Sequence, residues 1–317
     1  MKQFAFTALC VILGVIFVSD SQGISVSVAE SIRLCLVTVI PSLFAFLALS
    51  TFVMSSGLIK GETSLFLLSM LGGYPVGAKL LSDKVKENPD YKIRAENMLM
   101  YCFNGSPVFL MALSNIGIYI WLSNVLACTI FAAIANSGKS AKPRRQNHKH
   151  KSAVAITGDN LTSSIINAVT SSGTALYKIC IMVVFFGIIS RTLRFLPQSI
   201  HSFLEITNIM ELQANPALIS ALTSMGGICI IFQVSAICGG TKINLKKFLL
   251  ARIPIAALSS GIFALLARIF EIGGETAIQT LANPNRIEIT SGGSIPASIC
   301  LLIMTLILLR KSPSSYK

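Results

Sequence analysis

Charge is scarce in this chain. Only 12% of its 317 residues are Asp, Glu, Lys or Arg, about half the share of an ordinary soluble domain. Hydrophobic residues make up 53%, and the mean hydropathy is +0.72. So little polar surface cannot cover a water-facing globule, which excludes a soluble domain and makes lipid the natural solvent. Tryptophan occurs once, and the apolar runs are continuous rather than alternating, which excludes a transmembrane β-barrel with its aromatic girdles. Histidine occurs three times, at His148, His150 and His201, so no HExxH metal site is present. His148 and His150 flank Lys149 in a basic stretch, where a metal ion would compete with positive charge. No phosphate-binding GxxxxGK[ST] loop occurs, and Gly239-Gly240-Thr241-Lys242 does not approach one. The eight cysteines form no CxxC pair and read as small apolar packing residues. The expectation is a protein that is not an enzyme and holds no metal or cofactor. Any transport would then draw on gradients or on a partner's energy.

What is present is a net charge of +13, unevenly placed. Lys139, Lys142, Arg144, Arg145, Lys149 and Lys151 crowd into one hydrophilic connection. No aromatic interleaving or folded module surrounds them, so nucleic acid is not the expected partner. A cytoplasmic loop obeying the positive-inside rule is. This loop, 137–157, divides the chain into halves.

The two halves share a plan. Residues 1–23 read as an N-terminal membrane helix and 24–136 as a first repeat, in which 25–40 is amphipathic. Ser27, Ser31 and Thr38 lie on one face of it, and Pro41 opens a span over 42–58. Residues 65–81 are apolar but interrupted by Gly72-Gly73-Tyr74-Pro75-Val76-Gly77, which cannot continue a regular helix. Each part is too short to cross a hydrocarbon core of about 30 Å, so a re-entrant hairpin is expected. A second break falls at Asn104-Gly105-Ser106-Pro107, before a plain span over 116–135. The second repeat, 158–270, opens with an amphipathic stretch presenting Ser163, Asn167, Thr170, Ser171 and Thr174 on one face. Spans follow over 177–193 and 248–270, and between them 217–237 is apolar, broken at Gly226-Gly227 and carrying Gln233. Residues 271–317 form a polar loop and a last membrane helix over 295–309. The fold class expected is an all-α polytopic membrane protein with about seven or eight passes plus re-entrant pieces.

Interrupted segments at corresponding positions of two halves are the sequence's best pointer to a transport site. Broken helices expose backbone groups that hydrocarbon cannot satisfy, so they must lie in protein or line a wet cavity. Hairpin tips also present N–H groups that attract anions. Gly73, Tyr74, Pro75 and Gly77 supply such a tip. Lys79 adds a positive charge there, unless it snorkels to the interface beside Asp83. Asn104 and Ser106 offer donors and acceptors, either to a solute or to backbone freed around Pro107. Gln233 either bonds another helix or binds solute. Glu205 either carries a coupling proton, pairs with a lysine, or sits exposed in a loop.

Pro41-Ser42-Leu43-Phe44-Ala45-Phe46, Gly73-Tyr74-Pro75-Val76-Gly77-Ala78-Lys79 and Asn104-Gly105-Ser106-Pro107 together resemble the YlbJ-type sporulation integral membrane proteins. Leu204-Glu205-Ile206-Thr207, Gly226-Gly227 with Gln233, and Ala251-Arg252 agree with that likeness, which covers roughly residues 25–270. That family belongs to the nucleoside-recognition, or Gate, group, similar to the cores of concentrative nucleoside transporters. The resemblance implies two inverted Gate repeats with re-entrant hairpins. It also implies movement of dipicolinic acid across the outer forespore membrane of a bacterium. One departure is Asn208-Ile209-Met210 after Thr207, where the family has a glycine. The solute-binding residues expected are Gly73, Tyr74, Pro75, Gly77, Lys79, Asn104, Ser106, Glu205, Thr207, Gly227 and Gln233. The expected partners are the bilayer and a small anionic solute, with homo-oligomerisation left open. A nucleoside or nucleobase transporter, or a non-transporting scaffold in spore-envelope assembly, are the alternatives.

Overall fold

The computed structural model describes residues 17–56, 61–113, 116–137, 158–211 and 214–271, with Thr7, Val11, Gly14 and Val15. Most of the expected first helix, almost all of the basic loop 137–157 and the segment after residue 271 lie outside the described residues.

The described residues are predominantly helical and contain no strand. We number the helices α1 (Ser21–Leu34), α2 (Ile40–Ser55), α3 (Glu62–Gly72), α4 (Tyr74–Glu87), α5 (Lys92–Leu99), α6 (Pro107–Leu113) and α7 (Gly117–Ser137). The second half follows with α8 (Gly158–Thr192), α9 (Gln198–Leu204), α10 (Pro216–Met225), α11 (Gly227–Cys238) and α12 (Lys246–Ile269). Four stretches are long and apolar enough to cross a membrane: Gly117–Ser137, Thr162–Thr192, Pro216–Cys238 and Lys246–Ile269. A fifth is the pair α1 and α2, bent by 48°. A π-helical turn, Cys35–Val39, joins that pair, and Pro41 stands in the first turn of α2. Pro41 has no N–H to give back to that turn, which fits the bend between the two helices.

The outer faces of the long helices are apolar. On α7, Ile118, Leu122, Leu126, Ile130 and Ile134 are exposed at steps of four residues, a stripe that water would penalise and acyl chains accept. Inside, the helices fall into two groups. In one, α12 packs on α7 and α10; in the other, α8 packs on α1 and α2. Helix α11 packs on both α4 and α8, and so joins them.

Two expectations change in detail. The amphipathic stretch before residue 177 and the span after it form one continuous helix, α8, of 35 residues. Ser163, Asn167, Thr170 and Thr174 are exposed, while Ala168, Ser172 and Ala175 turn inward. Small residues face in because they let α2 approach closely, with Ser172 Oγ 3.4 Å from Thr51 Oγ1. The two glycine breaks also differ. Across the first, a Cβ on Gly77 would lie 2.8 Å from the Ser69 Cβ. Residues eight apart along a continuous helix are separated by about 12 Å, so α3 and α4 fold back on each other as a hairpin. At the second, α10 and α11 run on as one interrupted span of 23 residues. Gly73 (φ +94°), Gly226 (φ +85°) and Gly227 (φ +68°) make these breaks, in backbone conformations that a side chain would strain.

Candidate functional site

The hairpin arms of 11 and 14 residues reach only about 17 and 21 Å. Residues 68–82 are buried without interruption, which is the condition under which irregular backbone survives at membrane depth. Breaking a helix frees carbonyls, and each has to find a donor. The Trp121 indole N–H of α7 donates to the Met70 carbonyl at 3.1 Å. The Tyr74 hydroxyl donates to the Thr223 carbonyl at 2.6 Å, an acceptor left open by the break at Gly226. Arg252 of α12, fully buried, donates to the carbonyls of Met100, Phe103 and Ser224. Its guanidinium lies over the rings of Phe103 (4.6 Å) and Phe248 (5.0 Å). One side chain thus ties the non-helical segment 101–106 to the end of α10.

Behind Tyr74, five buried polar residues join α7, α10 and α12. Ser123, Ser220 and Ser259 are linked through hydroxyls, with Ser220 Oγ 2.8 Å from each of the others. Asn124 accepts from Ser259 and donates to Thr223 Oγ1 at 3.3 Å. Such bonds hold helices together where lipid offers no hydrophobic drive between them.

The breaks meet one another. A Cβ on Gly73 would lie 3.2 Å from Ser106 Cβ, so the hairpin tip rests on the second interruption. Ser106 Oγ accepts from the Phe109 N–H at 3.1 Å and caps α6. A Cβ on Gly226 would be 3.6 Å from the Tyr74 ring, and one on Gly227 would be 3.2 Å from the Phe203 carbonyl. The N-termini of α4 and α11 therefore converge, beside the segment that carries Glu205.

At this convergence lies a cavity of about 90 Å³, large enough to hold water. Six of the residues expected from the sequence line it: Gly73, Tyr74, Pro75, Ser106, Glu205 and Gln233. Leu34, Leu43, Phe109, Ile179 and Ile230 supply much of its apolar wall. Gln233 donates within its own helix, to Cys229 Sγ at 3.4 Å. The Cys229 thiol also hydrogen-bonds Glu205.

The other expected residues lie elsewhere. Gly77 packs against the Cys102 carbonyl, and Gly227 against Phe203 and Ile206, so both serve close approach of backbone. Lys79 is buried, paired with Asp83, and donates to Ser171 Oγ at 2.6 Å on α8. Its charge is balanced away from the cavity. Asn104 is fully buried, and neither of its amide atoms has a hydrogen-bond partner. Thr207 belongs to the 3-10 turn Ile206–Glu211, and its side chain is outside the described residues.

A second, polar cavity of about 440 Å³ adjoins the first. Ser27, Glu30, Ser31, Ser190, Arg191 and Asn208 line it, so the polar face read on α1 looks into this space. Arg191 is held by Asp20 at 3.3 Å. Among the described residues, no group of three or more His, Cys, Asp or Glu is placed to hold a metal ion. The sequence pattern marks the tip but assigns no role to Arg252 or to the Ser123 cluster.

No family model, curated protein or solved structure matches the chain.

Proposed function

We propose that the chain is an integral membrane transporter or permease of a small anionic solute. Dipicolinate, moved across the outer forespore membrane during spore formation, is the solute we favour. The observation that carries this reading is the cavity where three chain interruptions meet, with Gly73, Tyr74 and Pro75 on one side and Ser106, Glu205 and Gln233 around it. The N-termini of α4 and α11 converge there, and half-helix N-termini favour negative charge. Because Lys79 is neutralised by Asp83, these dipoles supply the anion's partner. Apolar walls with the Tyr74 and Phe109 rings suit a small aromatic body. In this reading the chain is built from two inverted Gate-like repeats with about seven or eight passes in all.

Counterflow of radiolabelled dipicolinate in proteoliposomes tests the assignment, and a rate no higher than in empty vesicles refutes it. Normal spore dipicolinate in a clean deletion strain would refute the biological role. A nucleobase or nucleoside is the second reading, favoured by the Gln233 amide and Glu205 carboxyl in the lining of a mostly apolar cavity. Competition of each class against dipicolinate uptake separates the two.

A further inference from the structure

Three residues, Leu34, Val183 and Glu205, line both cavities and form the wall between them. Two are aliphatic. Glu205 is the ionisable one, only 8% exposed, at the point where α9 ends in an extended residue before the turn Ile206–Glu211. Gly227 sets it there, since its lack of a side chain lets α11 press against the backbone of Phe203 and Ile206.

We propose that Glu205 is the proton carrier of this protein, so that the solute crosses as an anion together with one proton. The proposal rests on the transport reading above and adds its energy source. An ionised carboxylate at this position is penalised twice when an anion enters the tip cavity. Apolar walls desolvate it, and the anion repels it. Taking a proton from water in the polar cavity removes both penalties, and the resulting acid can donate a hydrogen bond to the anion. Releasing that proton to water on the side to which the solute has been delivered restores the carboxylate and completes the cycle.

The groups around Glu205 suit this role. Cys229 of α11 bonds it, and nearby the Cys35 thiol of the π-helical turn donates to the Cys180 carbonyl of α8 at 3.8 Å. His201, one turn earlier on α9, is bonded to Ser190 Oγ at 2.9 Å. Glu30 and Arg191 line the polar cavity with it, and Asp20 already engages Arg191.

Two measurements on the full chain test the proposal. In proteoliposomes loaded with a fluorescent pH dye, dipicolinate entry should bring protons with it, and Glu205→Gln should lose the proton movement per solute moved. Dicyclohexylcarbodiimide, which adds to protonated carboxyls in apolar surroundings, should mark Glu205 in mass spectra of the wild type. That adduct should fade from mildly acid to mildly alkaline buffer. Dipicolinate moving without protons, an unchanged proton-to-solute ratio in Glu205→Gln, or no adduct on Glu205 at any pH would each overturn the coupling while leaving transport itself intact. A wild type that moves no dipicolinate overturns the transport reading, and the coupling with it.

Discussion

Replacing Gly77 by alanine adds one methyl group at the tightest point of the hairpin. A Cβ there would sit 2.1 Å from the Cys102 carbonyl oxygen and 2.8 Å from Ser69 Cβ. Carbon atoms settle about 3.5–4.0 Å apart, so both neighbours must retreat by roughly 1 Å. Ser69 belongs to the facing arm, and Cys102 lies between Met100 and Phe103, whose carbonyls Arg252 holds. Overpacking costs about 1–3 kcal/mol when side chains can yield. Here a backbone carbonyl is the obstacle, which places Gly77→Ala at the upper end, about 3 kcal/mol. The same substitution at Gly173, within α8 and with no heavy atom inside 4 Å, should instead stabilise by about 0.5–1 kcal/mol through helix propensity. Thermal unfolding in detergent, followed by fluorescence, reads both. Trp121 is the chain's one tryptophan and is bonded to Met70 of the hairpin. A Gly77→Ala midpoint equal to or above wild type would refute the hairpin contact, because a continuous helix predicts a gain at both sites.

Tyr74→Phe should destabilise by about 1–3 kcal/mol, since the buried Thr223 carbonyl loses its donor; an unchanged unfolding midpoint would contradict that bond. Arg252→Lys keeps the charge but not the fork that reaches three carbonyls, and Arg252→Met keeps neither. Folded yield by size exclusion should therefore fall in the order wild type, lysine, methionine. Asn104→Leu should hold or raise the midpoint, because both amide atoms are without partners and removing them relieves a desolvation cost of about 1–3 kcal/mol; a lower midpoint would mean the amide is paired.

Much of the fold is local and was readable from pattern. The uninterrupted span of α7 follows from a long apolar run, and Pro41 marks the first turn of α2. Gly73, Gly226 and the stretch 104–107 mark where helices must stop, because glycine permits and proline enforces the change of backbone. The alternatives left open at Lys79 and Gln233 were not decided by any such pattern. Lys79 met Asp83 one turn away and Ser171 of α8, while Gln233 bonded within its own helix. Neither outcome could be weighed before the neighbours were known.

The sequence by itself determined the solvent and the breaks. Scarce charge left lipid as the medium, and glycine and proline left three interruptions that had to be buried. Tertiary structure decided what answers each interruption. Arg252 donates to Met100 across 152 positions of chain, and Tyr74 to Thr223 across 149. A freed carbonyl states its need locally, but the donor that meets it is chosen by packing. The same packing sets Glu205 between two cavities, a position that no spacing along the chain could reveal.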